Sequence, residues 1–147
     1  MTLFETITKA AEAESPVWAS ALRAVPDLEP VFSPLVPEPL GVGFETVYEA
    51  YLVHYGRPRL FAAPDADDAV LLGDYLYAHG LVRIAESGGV PAVAVMAGLI
   101  ARCAALRADG GADDGQAWVD AARALGGAAD EAAVRRALER HSARVAP

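Results

Sequence analysis

Glycine and proline clusters divide this chain into short stretches, and the stretches between them are rich in alanine and poor in β-branched runs. Alanine is the strongest helix former, whereas glycine and proline interrupt helices. The longest interruption is the segment 26–43, which contains five prolines and cannot form a regular helix. We therefore expect an all-α protein, a compact helical bundle crossed by one extended proline-rich segment.

Local start and stop signals locate the helices. Thr2 and Glu5 form a capping-box pattern for a first helix, and Pro16 marks the start of a second that ends near Val25. Further helices are predicted at about 44–55, 65–86, 91–107, 116–125 and 130–144. We expect a single domain over 1–147, made of N-terminal helices (1–25), the proline-rich segment (26–43), a core (44–107) and C-terminal helices (116–144).

Composition and charge limit the function classes. The chain has 147 residues, of which 20 are acidic and 12 basic, and its net charge of −8 has the wrong sign for binding nucleic acid through its phosphates. The amino terminus lacks a signal-peptide pattern, and the longest uncharged run, 87–101, is too short to span a bilayer. Cys103 is the one cysteine, which excludes an intrachain disulfide. We expect a cytoplasmic protein with no membrane span.

Two features predict how the central helices pack. Residues 92–101 are apolar nearly all round, which predicts that the helix at 91–107 lies at the centre of the core. Asp74 lies within an apolar stripe, so we expect a buried structural acid paired with Arg57, Arg59 or a tyrosine. Ala69, Gly73 and Gly80 form a small-residue seam on the same helix, and we expect a neighbouring helix to approach closely there.

The helix predicted at 44–55 carries two patterns that bear on chemistry. Glu45 and Glu49 are spaced i, i+4, so their carboxylates could together hold a hard cation such as Mg²⁺, although such pairs are also common on solvated faces. Tyr48, Tyr51 and Tyr55 share another face and could line a pocket for an apolar ligand. We identify no confident catalytic residue.

The stretch 44–107 resembles the middle of the isoprenyl (polyprenyl) diphosphate synthases, an all-α family of prenyltransferases. The best match is AVLLGDYLYAHGL, residues 69–81, which is similar to a Leu-Ala-Gly-Asp helix of that family. The resemblance implies that the family's first metal motif, DDxxD, falls on Glu45 and Glu49. It also implies that Arg57 and Arg59, which lie beside the turn before this helix, are candidates for binding a diphosphate.

Departures from the family pattern shape the functional expectation. The second carboxylate of the metal motif is Thr46, the two turn arginines are His54 and Tyr55, and a second aspartate-rich motif is missing. The resemblance therefore implies a reduced, non-catalytic relative that acts as a homo-oligomer or as the partner subunit of a catalytic prenyl synthase in isoprenoid biosynthesis. The alternatives are a module that binds an isoprenoid or other apolar ligand, and a Mg²⁺-dependent prenyltransferase completed by a second chain.

Overall fold

The computed structural model describes residues 1–110 and 114–145, which form helices and contain no strand. The all-α prediction is therefore confirmed. The α-helices are α1 (Leu3–Glu14), α2 (Pro16–Ser20), α3 (Gly41–Tyr55), α4 (Ala66–Ala108), α5 (Gly115–Ala124) and α6 (Glu131–Val145). Two 3₁₀ turns, Ser33–Leu35 and Glu38–Leu40, lie in the proline-rich segment.

The amino-terminal helices begin where their capping residues predict. The Thr2 hydroxyl accepts a hydrogen bond from the Glu5 amide at 3.1 Å, and the Glu5 carboxylate accepts one from the Thr2 amide at 2.9 Å, which completes the capping box. Helix α2 ends at Ser20, so the predicted end near Val25 is wrong. The chain leaves the helix because Leu22 pairs in an isolated antiparallel β-bridge with Phe61.

The segment 22–40, here called the strap, crosses the molecule in extended conformation and short turns. Arginines from other parts of the chain hold it: Arg140 donates to the Pro30 carbonyl at 3.1 Å, and Arg144 forms an ion pair with Asp27. Val31, Phe32 and Leu35 of the strap are buried in the main apolar cluster. The strap is therefore part of the core.

Helix α3 occupies the centre of the molecule, because every residue from Gly43 to Leu52 is buried. This corrects the prediction that the helix at 91–107 is central. In that part of α4 the buried residues lie on one side of the helix; they are Ala92, Met96, Leu99 and Cys103. This part of α4 is apolar on nearly all sides, but only one side is buried, so the apolar residues of the other side are exposed to solvent.

Helix α4 consists of two halves joined at Gly89. Gly89 has φ 70° and ψ −168°, a conformation that glycine adopts without steric cost, and Pro91 follows within the first turn of the second half. The predicted break at this position is confirmed. By length and composition α4 is able to cross a membrane, and 22% of its apolar 18-residue window is buried.

The first half of α4 packs against α3 at two glycines. A Cβ placed on Gly80 would lie 2.6 Å from the Val47 side chain and 3.1 Å from the Gly43 carbonyl oxygen. A Cβ placed on Gly73 would lie 2.0 Å from Nε2 of His54. The predicted close approach is confirmed at Gly73 and Gly80, because any larger side chain there would collide with the partner helix, whereas Ala69 lines a cavity.

Candidate functional site

A buried cluster of two acids and one arginine lies between α3 and the loop that follows it. The side chains of Glu45, Glu49 and Arg59 are all 0% exposed. The Arg59 guanidinium donates to Glu49 through Nε at 3.1 Å and pairs with Glu45 through Nη1. We call this group the acid–arginine cluster. One guanidinium thus bridges both carboxylates.

Backbone amides complete the hydrogen bonding of the two carboxylates. Glu49 accepts hydrogen bonds from the amides of Arg59, at 2.9 Å, and Leu60, at 2.8 Å. Glu45 accepts them from two strap amides, those of Val31 at 3.3 Å and Ser33 at 3.0 Å. Buried charges require such compensation, because desolvation of an unpaired carboxylate is costly. The acids therefore tie the strap and the 59–60 backbone to α3.

The acid–arginine cluster occupies the position at which the sequence predicts Mg²⁺. The Arg59 side chain supplies the cation between Glu45 and Glu49, and the oxygens of both acids accept hydrogen bonds from the chain itself. Neither acid lies on a solvated face, so that alternative is wrong. Among the described residues, no group of three or more His, Cys, Asp and Glu side chains has a geometry for holding a metal ion.

The electrostatics of the cluster keep Arg59 charged. Burial by itself lowers the pKa of Arg59, but the negative charges of Glu45 and Glu49 outweigh it and raise the pKa above its usual value. The guanidinium also lies over the rings of Phe4 and Tyr48, each at 5.1 Å from the ring centroid. Arg59 is thus a permanently charged core residue, and no solvent-exposed part of it remains to bind a diphosphate.

A second buried chain of polar groups connects α3 with the carboxy-terminal helices. The Tyr48 hydroxyl lies 2.7 Å from Nδ1 of His141, and Nε2 of His141 lies 2.6 Å from the Asp114 carboxylate. Arg107 approaches the other oxygen of Asp114 at 3.0 Å and donates to the Tyr51 hydroxyl at 2.8 Å. These contacts fix α6 and the start of α5 to the central helix.

The Tyr48–His141–Asp114 chain has the order of groups found in hydroxyl–His–acid triads, but its surroundings differ. Tyr48 and Asp114 are 0% exposed and His141 is 3% exposed, so no reactant reaches the hydroxyl. Burial raises the pKa of Tyr48 well above its usual value, which keeps the phenol protonated. The sequence does not predict this hydrogen-bonded series of side chains, because Asp114 and His141 are 27 residues apart and form no spacing motif.

The three tyrosines predicted to line one pocket contact one another in a row, with ring centroids 6.3 Å apart for Tyr48 and Tyr51 and 5.1 Å apart for Tyr51 and Tyr55, but they differ in burial. Tyr48 and Tyr51 are fully buried and contact Trp118 edge-on, with ring centroids 5.0 and 5.5 Å apart. Tyr55 is 40% exposed and lies beside His54 at the edge of a cavity of about 390 Å³. Two of the three tyrosines therefore belong to the hydrophobic core, and Tyr55 lies at a solvent-accessible cavity.

Asp74 and Arg57 lie at the surface. The Asp74 side chain is 65% exposed, so the prediction of a buried acid is wrong, and Nε2 of His54 lies 3.7 Å from its carboxylate. The buried side of α4 here is formed by Leu72, Gly73, Leu76 and Gly80. Arg57 is exposed, and its backbone amide donates to the Arg144 carbonyl at 3.0 Å. The two predicted diphosphate ligands, Arg57 and Arg59, are thus in different environments.

Comparisons of the chain with models of known families, with curated proteins and with solved structures found no match. The function is therefore inferred from the contacts, burial and charge of the chain's own residues. These show two buried polar groups with internal partners and one long helix with apolar residues at the surface.

Proposed function

We propose that this chain is a non-catalytic helical assembly protein, which acts as a homo-oligomer or as the partner subunit of a larger helical protein. The observation that carries the proposal is the exposed apolar side of the second half of α4. Contiguous exposed apolar surface typically marks an interaction site. The groups best suited to chemistry, Glu45, Glu49 and His141, are instead buried among internal partners.

The second half of α4, residues 90–108, has two dissimilar sides. Its buried side packs towards α5. The opposite side, here called the outer α4 face, is exposed, and Arg102, which pairs with Asp120, lies at its edge. The face consists of Val90, Ala94, Ala97, Gly98, Ala101, Ala104 and Ala105. Val90 at its start is 81% exposed. A helix of this length extends about 28 Å, so the outer α4 face is continuous over a distance typical of helix–helix contacts.

Small side chains favour another helix as the occupant of this face. Alanine and glycine let two helix backbones approach closely, and the internal seam at Gly73 and Gly80 shows the same device within this chain. A second copy of the chain presents an identical face, so a two-fold arrangement would cover both faces at once. This supports self-association as the first form of the proposal.

The partner-subunit form of the proposal rests on the resemblance of residues 69–81 to a prenyl synthase helix. In this form the partner is a catalytic prenyl synthase of isoprenoid biosynthesis, and this chain supplies packing surface without chemistry. The acid–arginine cluster supports that division of roles, because Arg59 fills the space between the two carboxylates that a catalytic relative would use for metal.

Sedimentation and light scattering test the proposal with a matched pair of variants. Ala101→Glu places a charge on the outer α4 face, whereas Ala13→Glu places the same charge on an exposed position of α1. We expect the natural chain and Ala13→Glu to have the mass of two or more chains at micromolar concentration, and Ala101→Glu to be monomeric, because burying an unpaired carboxylate in the interface is unfavourable.

The other outcomes separate the alternatives. A natural chain that is monomeric at every concentration overturns self-association, and mixing it with a full-length prenyl synthase then tests the partner-subunit form, with Ala101→Glu again the variant that should not bind. Binding of the natural chain to lipid vesicles, lost in Ala101→Glu, would assign the outer α4 face to a membrane surface and would overturn both forms.

A further inference from the structure

Two neighbouring cavities share walls near the start of α4. The larger, about 390 Å³, lies between the last turn of α3 and the first turns of α4. The second, about 300 Å³, lies under the loop between these helices and is lined in part by Pro58 and Phe61. Val53 and Ala69 line both cavities. The two adjoining cavities are here called the loop trough, and most of the residues that line them are apolar.

The backbone around the loop trough is held by hydrogen bonds between two segments. The Arg23 amide donates to the Leu60 carbonyl at 2.9 Å, and the Ala62 amide donates to the Ala21 carbonyl at 2.7 Å. Nε of Arg23 donates to the Phe61 carbonyl at 3.0 Å, which orients the guanidinium at the wall of the smaller cavity. The trough and its arginine are therefore preformed, and binding there would require little reorganisation.

Positive charge collects at the Arg23 end of the trough. Arg144 lies close enough to Arg23 that, after burial, the charge of Arg23 contributes to lowering the pKa of Arg144. Asp27 neutralises Arg144 through an ion pair, but Arg23 has no such carboxylate partner within residues 1–110 and 114–145. Two adjacent arginines with one acid are notable in a chain of net charge −8, and a bound anion would compensate them.

We propose that the loop trough binds a small amphipathic anion, with its apolar chain between Val53 and Ala69 and its carboxylate or phosphate headgroup at Arg23. Arginine binds both headgroups through paired N–H donors, and the alanine-lined walls suit a narrow, unbranched chain. This site goes beyond the assembly role, because it lies at the opposite end of α4 from the outer α4 face and requires no second chain.

Calorimetric titration of the full chain with octanoate, octyl phosphate and octanol tests the proposal. We expect saturable binding of at least one anion and no saturable binding of octanol at the same concentrations. Arg23→Gln keeps a donor for the Phe61 carbonyl but removes the charge, and should weaken anion binding by about tenfold or more. Ala69→Leu fills the shared wall and should abolish binding without changing the charge.

Matched controls are available for both variants. Arg136→Gln and Ala13→Leu make the same changes at exposed positions away from the trough and should leave the affinity unchanged. Binding of octanoate alone identifies a carboxylate ligand, and binding of octyl phosphate alone identifies a phosphate ligand. The proposal is overturned if neither anion binds, if octanol binds equally well, or if Arg23→Gln and Ala69→Leu, both verified as folded by circular dichroism, bind like the natural chain.

Discussion

Arg59 occupies the position at which the sequence predicts a metal ion. Its guanidinium lies between two buried carboxylates, and its own amide donates to one of them. The Arg59 guanidinium is part of the chain, so a chelator cannot remove it as it would remove a metal ion. At the scale of single residues, the acid pair of α3 is therefore structural, and it holds the strap and the loop after α3 in place.

Arg59→Met should destabilise the fold by about 3–5 kcal/mol, because it leaves Glu45 and Glu49 buried without their cation. Urea unfolding measures this loss. Arg136→Met, at an exposed position, is the control and should change stability by less than about 0.5 kcal/mol. In the triple variant with Glu45→Gln, Glu49→Gln and Arg59→Met the loss should be smaller than for Arg59→Met alone. A loss below about 1 kcal/mol in Arg59→Met would contradict a structural role for the cluster.

At the scale of elements, the crossing of α3 and α4 depends on glycine. Gly80→Ala should destabilise the fold by about 1–3 kcal/mol, although alanine is the better helix former, because the added Cβ would lie 2.6 Å from the Val47 side chain and 3.1 Å from backbone atoms of α3. Gly98→Ala in the same helix meets no atom within 4 Å and should stabilise by about 0.5–1 kcal/mol. Thermal unfolding at a dilution where the chain is monomeric compares the two, and equal effects would contradict the packing argument.

The elements themselves were largely predictable from the sequence, because helix ends depend on neighbouring residues. The capping box at Thr2 and the break at Gly89 are local signals, and both are confirmed. The end of α2 was not predictable, because it depends on pairing with Phe61, 39 residues after Leu22.

The sequence predicts less well which residues are buried, because burial depends on which side of each helix packs against a neighbouring helix. The apolar stripe around Asp74 and the apolar helix at 91–107 show only that these surfaces avoid water, and the structure exposes Asp74 and the outer α4 face. Likewise, the spacing of Glu45 and Glu49 does not predict that Arg59 pairs with them. The loop after α3 folds back and brings Arg59 to the two carboxylates.

At the scale of the whole molecule, binding of an allylic diphosphate separates the non-catalytic account from an enzyme. We expect no Mg²⁺-dependent heat in calorimetric titration, because both acids are occupied by Arg59 and backbone amides. Heat that is equal with and without Mg²⁺ would report an anion in the loop trough. Saturable, Mg²⁺-dependent heat that disappears in Glu49→Gln would contradict the non-catalytic account.

The outer α4 face should be covered by another helix when the protein functions. Carbene footprinting of the natural chain, from nanomolar to high micromolar concentration, measures solvent access along α4 without any substitution. We predict that labelling of 94–105 falls as concentration rises, while labelling of the exposed α1 positions Glu12 and Ala13 stays constant. If labelling of 94–105 is independent of concentration and of added prenyl synthase, the face is not an assembly surface and the account is wrong.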